Sequence, residues 1–257
     1  MKPKALLLHA TGTNRDHEAA QAIELAGGTS EIVHLNQLRR GEKHWSHYQM
    51  LVLPGGFSYA DALGAGKLLA LDLTAYFADE VQRFVEVGKP VIGICNGFQA
   101  LVKAGILPGG DLASSATLTF NDSGHFECRW TLLKPLSQSC LWTRQLAELI
   151  YCPIAHGEGK FVPSQAEVLT ALAARDQIAL VYVQPDGALA AGHYPHNPNG
   201  SAADIAGICN SRGNVLGLMP HPEDHIFDFQ HPRWSRGERG QSGLSLFTNG
   251  VRYASEM

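Results

Sequence analysis

Gly93-Ile94-Cys95-Asn96-Gly97 sets a cysteine between two glycines where an apolar run gives way to a helical pattern. It is the cysteine counterpart of the nucleophile elbow, a tight strand-to-helix turn that presents a reactive side chain. Side chains in place of the glycines would clash with the adjoining strand. A sulfur at the start of a helix also meets unpaired N–H groups and the positive end of the helix dipole, a setting that suits a nucleophile. A lone cysteine is more often a small buried hydrophobe; the two glycines at this junction argue for the nucleophile. Such a group needs a base, and the base needs something to orient it. Met219-Pro220-His221-Pro222-Glu223, directly after another apolar run, supplies both. In an extended backbone residues two apart point the same way, so Glu223 can hold one ring nitrogen of His221 while the other faces Cys95. The third part is Pro54-Gly55-Gly56-Phe57-Ser58-Tyr59, a glycine pair at a strand end. The backbone N–H of Gly56, with that of Asn96, would form an oxyanion hole, worth about 3 kcal/mol per donor in comparable enzymes. Neither dinucleotide-binding nor P-loop spacing is present, so these glycines are not read as a phosphate cradle.

These parts need a scaffold that delivers them to one place. Ala5–Leu8, Gln49–Leu53, Val91–Ile94 and Val215–Met219 are short continuous apolar runs, the mark of strands buried on both faces. Thr13 to Asp16 has capping-box spacing ahead of a helical stretch, Glu18–Ala26, and Glu31–Leu35 has strand character. A helical region runs from about Ala60 to Val87 with a break near Leu73-Thr74, and Asn96–Ala104 and Gly243–Ala254 are further helices. Thr117–Phe120, Glu127–Leu133 and Ala179–Val183 look like strands separated by turns, an antiparallel excursion. The alternation predicts an α/β fold: a doubly wound, mostly parallel, flavodoxin-like sheet covered on both faces. Ligands of such sheets sit at the carboxyl ends of the strands, where all three motifs lie. With no repeat, low-complexity tract or linker, residues 1–257 are read as one domain.

Composition narrows the function. The 257 residues are 45% hydrophobic and 17% charged, ordinary for a globular chain. With 20 basic and 24 acidic residues the net charge is −4, which argues against a nucleic-acid binder held by phosphate neutralisation. No apolar stretch approaches the roughly 18 residues of a membrane span, and no leader pattern follows the first residues, so a cytoplasmic protein is expected. Five cysteines without a C-x-x-C pair suggest neither a disulfide framework nor a cysteine-based zinc site. The pairs His193/His196 and His221/His225 are read as packed or solvated histidines, with no metal assigned. Asn121-Asp122-Ser123 and Asn199-Gly200-Ser201 match the glycosylation pattern, which has no use without a secretory signal.

The order of glycine strand end, cysteine elbow and His-x-Glu resembles the class I, or triad, glutamine amidotransferases. Cys95-Asn96-Gly97-Phe98-Gln99, His156-Gly157-Glu158-Gly159 and Asn197-Pro198-Asn199-Gly200-Ser201 narrow the match to the glutaminase subunits of phosphoribosylformylglycinamidine synthases. The resemblance runs from about Thr11 to Glu223. It implies Cys95 as nucleophile, His221 as general base and acid, Glu223 as the orienting carboxylate, and Gly55, Phe57 and Gln99 as glutamine-binding positions. His156 and Glu158 would border the glutamine site or meet a partner. It further implies ammonia delivered to a separate synthetase subunit that uses ATP and Mg²⁺, with a small bridging subunit, and no cofactor held by this chain. The pattern is broken at Arg15, where a cysteine is common, at Ala60, at Gly64 and at Asp224, where an arginine is usual. A rival reading, a cysteine hydrolase or redox protein similar to the intracellular-protease-like family, shares the elbow but not the His-x-Glu pair or Gln99. A subunit that only docks and stabilises a synthetase would not need the triad.

Overall fold

The computed structural model describes residues 2–257. Its elements in chain order begin with β1 (Lys4–His9), α1 (Asp16–Leu25), β2 (Thr29–His34), α2 (Leu35–Arg39) and β3 (Met50–Leu53). Then follow α3 (Lys67–Ala75), α4 (Ala78–Glu86), β4 (Val91–Ile94), α5 (Asn96–Lys103), β5 (Ala116–Thr119), β6 (Glu127–Pro135) and β7 (Ile150–His156). The last are β8 (Lys160–Pro163), α6 (Ala166–Ala174), β9 (Ile178–Val183), β10 (Ile205–Cys209), β11 (Val215–Leu218) and α7 (Leu244–Glu256). Nine strands form one sheet in the order β2-β1-β3-β4-β11-β10-β9-β6-β7, with β5 and β8 paired apart from it.

The first five strands of that order are mutually parallel, and from β11 onward each neighbouring pair is antiparallel. The mostly parallel sheet therefore stands, and the antiparallel excursion is an extension of the same sheet. Strands β3, β4 and β11 are buried along their whole length, which is why they read as unbroken apolar runs. Helix α1 packs with α7, and α3 packs with α4 and α5. Among the described residues no helix is long and apolar enough to cross a membrane.

Register is what assembles the motifs. Leu53 pairs with Gly93, and Ile94 pairs with Leu218, so β3, β4 and β11 end level with one another. The glycine turn, the elbow and the His-Pro-Glu segment therefore leave the sheet at the same edge. The elbow is held against its neighbours by contact: a Cβ on Gly97 would lie 2.0 Å from the Leu53 carbonyl oxygen, and one on Gly93 would lie 2.5 Å from Leu101 Cδ1. Helix α5 can approach β3 this closely only without a side chain at Gly97. Gly97→Ala is expected to destabilise the fold by about 3 kcal/mol, the upper end of ordinary overpacking, because the obstacle is main chain. The midpoint of chemical unfolding measures this, and an unchanged midpoint would mean α5 shifts freely.

Some sequence expectations are corrected. Thr13 is not a helix cap: α1 starts after Arg15 with no side-chain cap, and Thr13 Oγ1 instead accepts from the Ala10 N–H at 3.2 Å. The helical region after Ala60 begins only at Lys67, and its break falls at Tyr76-Phe77, not at Leu73-Thr74. Residues Tyr59, Ala60, Asp61 and Leu63 are left-handed, at φ of 55, 54, 52 and 65°, so the preceding loop cannot be helix. Strands β7, β8 and β10 and helices α2 and α6 are additions to the sequence expectation.

Candidate active site

Cys95 sits between β4 and α5 with φ 50° and ψ −105°, a strained conformation for a residue with a side chain, costing on the order of 1–3 kcal/mol. The strain is over-determined: the Cys95 N–H donates to Leu218 O at 2.8 Å, and its carbonyl accepts from the Gln99 N–H at 3.0 Å. The thiol is buried and its sulfur lies 3.8 Å from Ala155 O, at the end of β7.

His221 and Glu223 are joined by an Nδ1 to Oε1 hydrogen bond of 2.7 Å, with side-chain exposures of 3% and 0%. They do not meet as alternate residues of an extended strand. Pro222–Asp224 is a single 3₁₀ turn, and the turn brings Glu223 back onto the ring. The turn is anchored by the His221 N–H, which donates to Pro153 O at 2.8 Å. Gly55 makes room for the imidazole: a Cβ there would lie 2.6 Å from His221 Cε1 and 3.4 Å from Cys95 Cβ. The three groups predicted from distant stretches thus converge around Gly55. Burial works to lower the imidazole's pKa, but the Glu223 and Cys95 charges, with the Glu223 hydrogen bond, outweigh it and hold it well above the usual histidine range. The His221 Nε2 is buried and free of a conventional hydrogen bond, as a nitrogen kept for the sulfur and substrate should be.

A cavity of about 150 Å³ opens beside the sulfur, with Gly56, Phe57, Gln99, His156 and Glu158 among its walls. Neither the Gly56 nor the Asn96 N–H is used in a turn, loop or cap hydrogen bond. Both are free for an oxyanion. Gly55 is not on the cavity wall; it lies beneath the imidazole. Gln99 is on the wall, yet its carboxamide is committed to protein: Nε2 donates to Glu158 O at 2.7 Å and Oε1 accepts from Asn96 Nδ2 at 3.2 Å. The Asn96 carboxamide also takes the Ser58 hydroxyl at 2.5 Å and donates to Asp61 at 3.0 Å. Those two amides fix the left-handed loop to α5, and the Ala65 N–H adds a bond to Glu158 Oε1 at 3.2 Å.

His156 is buried and neutral, held down to about 3 by burial and by the nearby His221 charge. Its Nδ1 bonds Asn121 Oδ1 at 3.1 Å, while Asn121 Nδ2 donates to the carbonyls of His125 and His156. That pattern makes Nδ1 the protonated nitrogen and leaves a buried lone pair on Nε2 without a partner. Asn121 also accepts from the Gly159 N–H at 3.0 Å, and Asn199 Nδ2 donates to Gly159 O at 2.9 Å. Both asparagines of the glycosylation-like triplets are therefore buried struts of the His-Gly-Glu-Gly loop. Asn121 was missed as a site residue; Asn199 carried a signal in the Asn-Pro-Asn-Gly-Ser motif. Two of the four pattern-breaking positions face each other, with Arg15 Nε 3.7 Å from Asp224 Oδ2. His225 hydrogen-bonds Tyr151 O through Nδ1 and packs edge-on to Trp130 and tilted against His231, as a packed histidine does.

Comparison with known proteins agrees with this geometry. A family model described as the CobB/CobQ-like glutamine amidotransferase domain matches residues 2–254. The phosphoribosylformylglycinamidine synthase subunit PurQ of Treponema denticola is 56% identical over 98% of this chain and 99% of that protein. Its namesake from Dehalococcoides mccartyi is 44% identical over 100% of this chain and 99% of that one. Among solved structures, a chain of PurLQS from Thermotoga maritima superposes with a TM-score of 0.75 at 32% identity, covering 98% of this chain and 99% of that chain.

Proposed function

The chain belongs to the CobB/CobQ-like glutamine amidotransferase family and, within it, to the PurQ subunits of phosphoribosylformylglycinamidine synthase, and from that premise we propose how its residues divide the work. The overall reaction is hydrolysis of glutamine to glutamate and ammonia in purine biosynthesis. The observation that carries the residue assignment is the convergence of Cys95, His221 and Glu223 on one side of Gly55.

Glutamine enters the cavity with its side-chain amide carbon against the Cys95 sulfur. The thiolate attacks that carbon, and the oxygen takes up negative charge between the Gly56 and Asn96 N–H groups. The C–N bond breaks as His221, protonated at Nε2, gives its proton to the departing ammonia. Water then adds to the γ-glutamyl thioester while His221 takes a proton from it, and glutamate leaves with the thiolate restored. Glu223 keeps Nδ1 protonated and the ring aligned through both steps. Phe57 walls the substrate cavity, Gln99 shapes it by holding Glu158, and the His156 lone pair offers an acceptor inside it.

Ammonia is the useful product, and a synthetase subunit consumes it. The likeness to a chain of PurLQS supports that partner. Exposed Phe57, Leu63, Phe120 and Phe126 cluster around the cavity mouth and an adjoining apolar groove. Exposed apolar groups so disposed suit a partner that seals the site and keeps ammonia from bulk water. A small bridging subunit completes the assembly, and the ATP- and Mg²⁺-dependent step belongs to the synthetase. All of this takes place in the cytoplasm.

A glutamine-mimicking electrophile tests the assignment directly. In the reconstituted complex it should add one equivalent to Cys95, block glutamine-dependent synthesis and be prevented from reacting by excess glutamine. Modification of another cysteine, or labelling indifferent to glutamine, would favour the cysteine hydrolase or redox reading.

A further inference from the structure

Behind the imidazole the fold gathers charges that the reaction scheme leaves unused. Arg15, just before α1, places Nη1 3.0 Å from Glu18 Oε1 and Nε 3.7 Å from Asp224 Oδ2. Asp224 follows Glu223 in the same 3₁₀ turn. One oxygen each of Glu18 and Glu223 is buried without a hydrogen-bond partner, so this acid cluster is not satisfied by donors alone. Its charge is met by Arg15 on one side and by His221 on the other. Burial and Glu223 push the Asp224 carboxyl up to about 6, against the opposing pull of His221 and Arg15. The remaining titratable neighbours are Cys152 of β7, facing Glu223 and Asp224, and Cys95 and His156, facing His221.

The main chain of Arg15 joins a second part of the site. Its N–H donates to Gly55 O at 3.2 Å, beside the Asn14 N–H at 3.3 Å. Gly55 is the residue under the imidazole and precedes the oxyanion donor Gly56. One residue thus touches both the glycine turn and the acid cluster behind the His221–Glu223 pair.

We infer that Arg15 is a positioning residue for glutamine hydrolysis: its guanidinium offsets Glu18 and Asp224, so that Glu223 alone governs the imidazole, while its main chain fixes the glycine turn. The inference rests on the glutaminase reading above. It pairs Arg15 and Asp224, two positions at which the sequence departs from the pattern of the resemblance.

The test is the pH profile of kcat for glutamine hydrolysis in the reconstituted complex, with ammonia-dependent synthesis as the measure of folding and assembly. Arg15→Met removes the cation that offsets the acids behind His221, which favours the imidazolium. The alkaline limb of the profile should move up by about half a pH unit or more. With it, kcat should fall about tenfold while KM for glutamine stays within about twofold. Arg15→Lys should restore most of the rate and the original limb. Asp224→Asn removes an anion and should move the same limb down, the opposite sign. A general loosening of the turn would not produce opposite shifts. Coincident profiles for wild type and Arg15→Met, or shifts of one sign in both variants, would overturn the inference. If Arg15→Met fails to assemble, Asp224→Asn decides: a lowered limb supports the inference and an unmoved limb overturns it. A wild-type complex without glutamine hydrolysis would instead sink the glutaminase reading, so the two failures are distinct.

Discussion

Replacing Cys95 with alanine should abolish glutamine-dependent synthesis by the assembled complex and leave ammonia-dependent synthesis close to wild type. Removing the attacking atom of a triad costs on the order of 10⁴- to 10⁶-fold in turnover. No other thiol is placed to take over. Cys152 faces Glu223 and Asp224, and burial with both charges pushes its pKa well up, away from the thiolate. Alanine is the suitable replacement because it keeps the Cβ on the strained backbone of the elbow and leaves the contacts of Gly93 and Gly97 unchanged. The loss of one buried sulfur should cost little stability beside the change in rate. Added ammonia enters after the glutamine step, so its use reports folding and docking independently. Retained glutamine hydrolysis in Cys95→Ala would refute the nucleophile; loss of both activities would give Cys95 a structural role.

The sequence carried the parallel half of the fold because β3, β4 and β11 are buried on both faces and leave unmistakable apolar runs. It pointed to Cys95, His221 and Glu223, which the fold brings together, because the elbow and the His-Pro-Glu segment each directly follow such a run. The edge of the sheet was less legible. Strand β7 alternates buried and half-buried positions and includes Pro153, which weakens any strand signal. The same physics hid part of the site. Asn121 and Gln99 work through carboxamides whose partners lie 35 and 59 residues away, and no local spacing announces such a bond. Gly55, expected to contact glutamine, lies beneath the imidazole, a position visible only once β3 and β11 end level on either side of β4. The extended geometry expected for His221 and Glu223 gave way to a 3₁₀ turn, since Pro222 suits a helical first position. The two side chains meet all the same.

That turn makes Glu223 the most exposed point of the mechanism to a change of a single atom. Glu223→Gln keeps the shape and burial of the side chain but replaces a carboxylate with an amide, and kcat should drop by about 10³- to 10⁴-fold. Two effects act in the same direction. The amide can present either its oxygen or its NH₂ to Nδ1, so the ring is no longer bound to the tautomer with its lone pair toward Cys95. The Glu223 charge is also one of the forces that keep the imidazole well above the usual histidine range against its burial. Without it, only the Cys95 charge opposes burial and the neutral ring gains, so the acid that should protonate departing ammonia is depleted at neutral pH. The residual rate of the variant should therefore rise as pH is lowered below neutrality, where protonation of His221 is restored. KM for glutamine should change little, because Glu223 is shut away from the cavity behind the ring. Aspartate is not expected to rescue, since a shortened side chain cannot span the 2.7 Å contact from the same 3₁₀ turn. A Glu223→Gln complex with wild-type kcat and an unmoved pH profile would mean that the imidazole is held by the turn and Gly55 alone, and that the carboxylate has no part in the chemistry.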